Sequence, residues 1–331
     1  MQRMSVKRSN KMSNTGWDVV IVGGGPAGAV LAHRLSEDPD RSVLLVEAGP
    51  DYGNNVEDWP PELLFSQEQP LTSHSWDLHD AGNRIFLPRA RVLGGASAVN
   101  ACYWIRGSAS DYDDWAVSNP GWTFDELLPF FRRAETDPLG GQLHGTDGPV
   151  QVSRADHWSP GDLAFTEAAA SLGMDEVEDI NGDRVQVPSV GPVPKNIVAD
   201  NRFNAVLSYL APVRNRPNLT IRSETLVDRV RFEGEHAVGI VTATGEEINS
   251  DLVVLAAGAY FTPGILNRSG YGNEEDLRSL GISVRQHLPG IGQNLLDHPF
   301  AVEVAEGTLT PEAEFGKQLQ GQAMGRGRSG G

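Results

Sequence analysis

The sequence predicts an α/β fold, and three stretches near its start carry that expectation. Trp17 to Val22 (WDVVIV) is a continuous apolar, β-branched run, the pattern of a strand buried on both faces of a parallel sheet. Pro26 stands where a first helical turn tolerates proline, and Ala27, Leu31 and Leu35 recur at i, i+4 and i+8. A helix to about Ser36 with that stripe against a sheet is predicted. Ser42 to Glu47 (SVLLVE) is a second buried-strand run, so residues 17–47 read as one βαβ unit with a right-handed crossover.

The 331 residues leave room for two domains, and 39% hydrophobic with 21% charged residues is the balance of a globular protein. A formal net charge of -17 argues against nucleic acid or anionic lipid as partner, because no basic face is present to release their counterions. The single cysteine, Cys102, excludes an internal disulfide and a cysteine-built zinc site, and fits a reducing, cytoplasmic location. Residues 1–16 read as a disordered basic leader without the apolar core of a secretory signal. No run is long enough for a membrane span.

Residues 50–90, rich in Pro, Asn, Asp and Gly, read as an extended excursion. Thr123 followed by Glu126 forms a capping box for a helix through about Ala134, with Leu127, Leu128 and Phe131 on one face and Pro129 bending it. A loop between Leu139 and Pro149 is read as a domain boundary. Three strand-like runs follow: LTIRSETLVDRVRFEG from Leu219, HAVGIVTATG, and INSDLVVLAAGA, the last expected to be buried. Gly316 to Gly331 lacks apolar periodicity and is expected to be disordered.

Gly23-Gly24-Gly25-Pro26-Ala27-Gly28 fits GxGxxG between the first strand and the helix, with Glu47 and Ala48 closing the next strand. The pattern is Rossmann-like. Gly23 permits the tight turn, Gly25 lets backbone N–H groups approach a pyrophosphate at the helix N-terminus, and Gly28 allows close helix-strand contact. Glu47 is placed to accept from a ribose hydroxyl. FAD and NAD are both compatible with these residues.

A second motif decides between them by resemblance. Pro88-Arg89-Ala90-Arg91-Val92-Leu93-Gly94-Gly95-Ala96-Ser97-Ala98-Val99-Asn100, followed by Tyr103, Ile105, Arg106 and Gly107, is similar to the first signature of the glucose-methanol-choline (GMC) oxidoreductases, with Ala90 and Ala96 as mild departures. Gly258 to Gly272 resembles the second signature, with Tyr271 departing from an aliphatic residue, and Leu288 to Pro299 resembles a third block. The resemblance covers Trp17 to about Pro299. It implies FAD as cofactor, Val92, Gly94, Gly95, Asn100, Ala101, Cys102 and Tyr103 along the isoalloxazine, and the Val227 backbone on adenine.

The resemblance also implies the domain plan and the chemistry. Residues 17–150 and 216–300 would form a Rossmann-like FAD-binding domain, residues 151–215 part of a second, α+β substrate domain, and residues 301–331 a truncated tail. An alcohol would pass hydride to flavin N5 and leave as aldehyde or ketone, with electrons going on to oxygen, a quinone or another acceptor. A lyase on the same scaffold, or a non-catalytic FAD-binding fragment, are the alternatives. The family's histidine base has no counterpart before Gly331, so no catalytic residue is assigned, and the chain is expected to lack turnover, to bind FAD poorly and to aggregate.

Several residues invite other readings. His298 beside Asp297 is read as a capped loop before a catalytic pair, and His74 with His79 lacks the carboxylates or thiols of a metal site. Cys102 is read as a small apolar filler in preference to a redox thiol, with Arg106 its one obvious thiolate stabiliser. Trp76 and Trp104 are the aromatics of interest for a substrate channel. Trp59, Trp115 and Trp122 are read as packing residues.

Overall fold

A computed structural model describes residues 16–66, 73–155, 158–182, 188–297 and 323–326. The chain divides into two compact units, residues 1–50 with 214–296 and residues 51–213 with 297–331. The expected leader lies almost wholly outside the described residues, and so does His298.

The first unit is built on a six-stranded sheet. β1 (Trp17–Val22), α1 (Pro26–Leu35) and β2 (Val43–Val46) appear where the apolar runs place them. They are joined by β3 (Leu219–Arg222), β4 (Val227–Glu233), β5 (His236–Thr242) and β6 (Glu247–Leu255), in the spatial order β3-β2-β1-β6-β5-β4. β3, β2, β1 and β6 run parallel, with Val20 opposite both Leu44 and Val253, while β6, β5 and β4 pair antiparallel. Val20, Val22, Leu44, Val46, Val230, Ile240, Ile248 and Ile265 form the buried core, each side chain contributing about 1.5–3 kcal/mol of transfer free energy. Ile265 comes from α2 (Gly258–Arg268), which follows β6.

Three expectations need correction here. The predicted stripe of α1 is not its buried side. Ala27 is exposed and Leu31 and Leu35 are half-buried, while Gly28, Ala29 and Ala32 are buried, because the helix approaches the sheet too closely for larger side chains. The run LTIRSETLVDRVRFEG is two strands: Glu224 takes φ +51°, and the Glu224 and Thr225 amides donate to the carbonyls of Gly49 and Glu47 (2.9 and 2.8 Å), so the chain turns before β4. β6 pairs with β5 over Glu247–Asn249 and with β1 from Ser250 onward, and Leu252 is 51% exposed, so the strand is not buried on both faces.

In the second unit the Thr123 capping box is present. The Thr123 hydroxyl accepts from the Glu126 amide and the Glu126 carboxylate accepts from the Thr123 amide, at the start of the helix Phe124–Ala134. Leu127, Leu128 and Phe131 are half-buried along it. The 50–90 stretch contains a short helix, Pro61–Leu64, a strand pair, Leu78–His79 with Phe86–Leu87, and buried Trp59 and Leu63. Further along, the strand Ser189–Pro192 pairs parallel with Asp175–Glu176 on one side.

On its other side Ser189–Pro192 pairs antiparallel with Ala323–Arg326, which corrects the expectation of disorder for that part of the tail. Ladder hydrogen bonds need no apolar periodicity. Gly325 fits because a Cβ there would lie 2.9 Å from the Met174 side chain, and the Arg326 guanidinium donates to the Arg106 carbonyl (2.7 Å). The rest of 316–331 lies outside the described residues. Among the described residues no helix is long and apolar enough to cross a membrane.

Candidate functional site

In the first unit the glycine motif turns as its spacing requires. Gly23 adopts φ +102°, its amide donates to the Val46 carbonyl (2.8 Å), and a Cβ there would lie 2.5 Å from the Ala256 carbonyl oxygen. A Cβ on Gly28 would lie 1.9 Å from the Gly23 carbonyl oxygen, so helix and loop touch backbone to backbone. Gly25 is the N-cap of α1 and offers no side chain to the first turn, which leaves the Ala27 and Gly28 amides of that turn for an anion.

Glu47 is buried and does more than face outward from its strand. Its Oε2 accepts from the Gly24 amide and its Oε1 from the Gly49 amide, both at 2.8 Å, so the carboxylate ties the glycine turn to the end of β2. Ala48 beside it is half-buried. Val227 is buried at the start of β4, at a register shift against β5, where a bulge interrupts the ladder and leaves backbone groups for another partner. These are the elements that an adenosine diphosphate moiety requires.

In the second unit Gly94 (φ +99°) leads into a short helical turn, Gly95–Ala98, with Gly95 also left-handed. Val92, Gly94 and Cys102 are buried, Gly95, Asn100 and Ala101 half-buried, and Tyr103 is 42% exposed. Cys102 holds φ +64°, uncommon for a non-glycine residue, with its amide on the Asn100 side-chain oxygen and its carbonyl on the Asn196 amide. Burial pushes the Cys102 thiol pKa up, against Arg202 and Lys195, which pull it down. The cations beside the thiol are therefore Arg202 and Lys195; Arg106, the sequence's candidate, turns away to Glu135.

Arg202 is fully buried and donates from Nε to the Asn100 carbonyl (2.9 Å) and from Nη1 to the Leu63 carbonyl (2.6 Å), joining the Pro61–Leu64 helix to the glycine-rich motif. Arg202→Ala should strand both carbonyls and destabilise by about 3 kcal/mol. A urea midpoint equal to that of the wild type would show these bonds to be dispensable. Lys195, also buried, sits 5.2 Å from the Tyr103 ring centroid, and desolvation lowers its pKa to about 8.

His74 is hydrogen-bonded at both nitrogens, to Ser73 and Tyr52, and His79 is exposed. Trp76 lies under the Arg91 guanidinium, and the Trp104 indole donates to Glu135 Oε2 (2.6 Å). Trp59 is core, whereas Trp115 and Trp122 pack against each other at 5.1 Å and are about half exposed. Sequence reasoning missed Glu135, Asp137, His144, Asp179, Lys195 and Arg202. Only the Gly/Asp-rich loop around His144 was marked, as a boundary.

The strand-loop-helix cradle, the acid closing the next strand and the second glycine-rich turn define the chain as a dinucleotide-binding α/β protein of the flavoprotein type. The GMC oxidoreductase family matches residues 17–300, and the chain belongs to that family. It is 40% identical over 299 residues to the mitochondrial choline dehydrogenase of Homo sapiens, covering 85% of this chain and 50% of that one. Among solved structures it resembles pyridoxine 4-oxidase from Mesorbium loti (TM-score 0.74, 36% identity, 83% of this chain and 56% of that one). It also resembles an FAD-dependent oxidoreductase from Chaetomium thermophilum (TM-score 0.73, 32% identity, 83% and 51%). The chain spans about half the length of these relatives. Its cofactor is FAD, and the side-chain-free cradle at Gly23 and Gly28 fits the pyrophosphate.

Proposed function

We propose that this chain supplies the FAD-binding part of a flavoprotein that oxidises a small primary or secondary alcohol to an aldehyde or ketone. The observation that carries the reading is the Gly23–Gly28 turn at the N-terminus of α1, tied through the Gly24 amide to one oxygen of Glu47, whose other oxygen accepts from Gly49. Bound FAD supplies a two-electron hydride acceptor. The Ala27 and Gly28 amides would hold the pyrophosphate, Glu47 would accept from the ribose, and the Val227 backbone would meet adenine. Val92, Gly94, Gly95 and Asn100 to Tyr103 are the residues proposed for the isoalloxazine, carried over from the family signature they match. Choline dehydrogenase relatives support an alcohol donor. The alcohol's identity and the acceptor lie beyond these motifs.

Among the described residues none is assigned as the base that removes the hydroxyl proton. Fluorescence titration with FAD should give saturable binding that Glu47→Gln weakens at least tenfold, because the new amide sets a donor against the Gly24 or Gly49 N–H. Equal affinity in wild type and variant would remove Glu47 from the site. Anaerobic loss of oxidised-flavin absorbance on adding alcohol would show that this chain contains its own base.

A further inference from the structure

A cluster of charged side chains in the second unit has no part in the chemistry above. Glu135, Asp137, His144 and Arg106 are all buried, with Asp179 and Arg154 at their margin. The ligand atoms of Glu135, Asp137 and His144 lie within 4.8 Å of one another, a spacing that would suit a cation. The hydrogen bonds select a proton instead. His144 Nδ1 lies 2.8 Å from Glu135 Oε1 and 3.2 Å from Asp137 Oδ2, and Nε2 lies 2.9 Å from Asp179 Oδ2. Ionised carboxylates only accept, and a neutral imidazole has a single N–H, so only the imidazolium satisfies both sides of the ring.

The charge balance agrees. Three carboxylates face Arg106, Arg154 and one further positive charge on the ring. A divalent cation in place of that proton would leave the buried cluster with excess positive charge, which is costly away from water.

We propose that His144 is a positioning residue held as an imidazolium, tying Glu135, Asp137 and Asp179 together and so fixing the Trp104–Arg106 segment that continues from Asn100–Tyr103. Glu135 Oε1 also receives the Arg106 guanidinium (2.5 Å), and its Oε2 receives the Trp104 indole. Asn181 completes the clamp. Its Oδ1 accepts from the Arg106 amide (2.9 Å), its Nδ2 donates to the Trp104 carbonyl (2.8 Å), and its own amide donates to Asp179 (3.0 Å). The hydrogen bonds to Asp179 and then Glu135 outweigh desolvation and raise the His144 pKa to about 9. That this segment serves the flavin rests on the function proposed above; the protonation state of His144 does not.

The test is 15N NMR of the full chain with its eight histidines labelled, the His144 signals assigned by their loss in His144→Gln. At pH 8, where exposed histidines are roughly nine-tenths neutral or more, both His144 nitrogens should still carry protons. Neutral-tautomer shifts at pH 8, or stoichiometric displacement of the signals by added zinc, would overturn the proposal. Positioning is read separately by titrating FAD at pH 7 and pH 10. Wild-type affinity should fall about tenfold more than that of His144→Gln, and equal pH profiles would reduce His144 to a structural role. Should FAD bind at neither pH, the proposed function fails, and protection of the Trp104 indole N–H decides the positioning: protected at pH 7 and exchanging at pH 10 supports it, unchanged protection refutes it.

Discussion

Glu135→Ala is expected to destabilise the second unit by about 3–5 kcal/mol, read as a drop in the urea midpoint or as loss of the folded state. The carboxylate is almost wholly buried and receives three donors: the Arg106 guanidinium, the His144 ring and the Trp104 indole. Its removal leaves the buried Arg106 charge without its nearest counter-ion, and exposed ion pairs such as Arg278–Glu274 give no measure of that cost. A change below about 1 kcal/mol would mean that Asp137 and Asp179 can take over the cations. The same cluster sets a pH dependence. The folded-state pKa of His144, about 9, lies above the ordinary 6.5, so its contribution is full below pH 6.5, declines as pH rises, and is gone above about 9. After allowance for solvent screening this is on the order of 2 kcal/mol. A wild-type stability curve flat between pH 6.5 and 9.5, with no steeper fall than that of Glu135→Gln, would contradict it.

Gly28→Ala should remove FAD binding altogether. The new methyl would sit 1.9 Å from the Gly23 carbonyl oxygen, and neither atom belongs to a side chain that could swing away. Either α1 moves off the sheet or the Gly23 turn opens. Gly23 is itself fixed through its amide on Val46 and the close approach of Ala256, so the loop facing the pyrophosphate is lost in both cases. The control is Gly53→Ala, at a left-handed glycine where the nearest atom to a new Cβ is the Asp58 carboxylate at 3.9 Å. It should lose about 1 kcal/mol of stability and keep its FAD affinity. FAD affinity surviving in Gly28→Ala would place the cofactor's phosphates elsewhere.

The cofactor cradle was legible because it is local. Gly23, Gly25, Gly28 and Glu47 lie within one βαβ unit, and the two sterically demanding glycines are required by backbone contacts that leave a mark at fixed spacing. The motif around Gly94 is contiguous and is recognised by resemblance, whereas the left-handed backbone of Gly94 and Gly95 is seen only in the structure. The charged cluster was not legible. Trp104, Glu135, His144 and Asp179 are spread over 75 residues of sequence and lack any common period, and each alone is an ordinary polar residue. The orientation of Arg106 shows the limit well. Four positions from Cys102, it was the nearest cation in sequence, yet the thiol meets Arg202 and Lys195 and the guanidinium goes to Glu135.

By itself, then, the sequence determined the βαβ start of the sheet, the glycine cradle with its acid, the Thr123 helix cap and the family, since each depends on neighbours within a few residues or on a contiguous motif. Tertiary structure alone decided which face of α1 is buried, the division of the run after Leu219 between the two ends of the sheet, the pairing of Ala323–Arg326, and the assembly of Glu135, Asp137, His144 and Asp179 into one cluster. The physical reason is common to all four. Each depends on which distant backbone or charge comes within a few ångströms, a choice made by packing and by the need to satisfy buried polar groups, and short-range spacing carries no record of it.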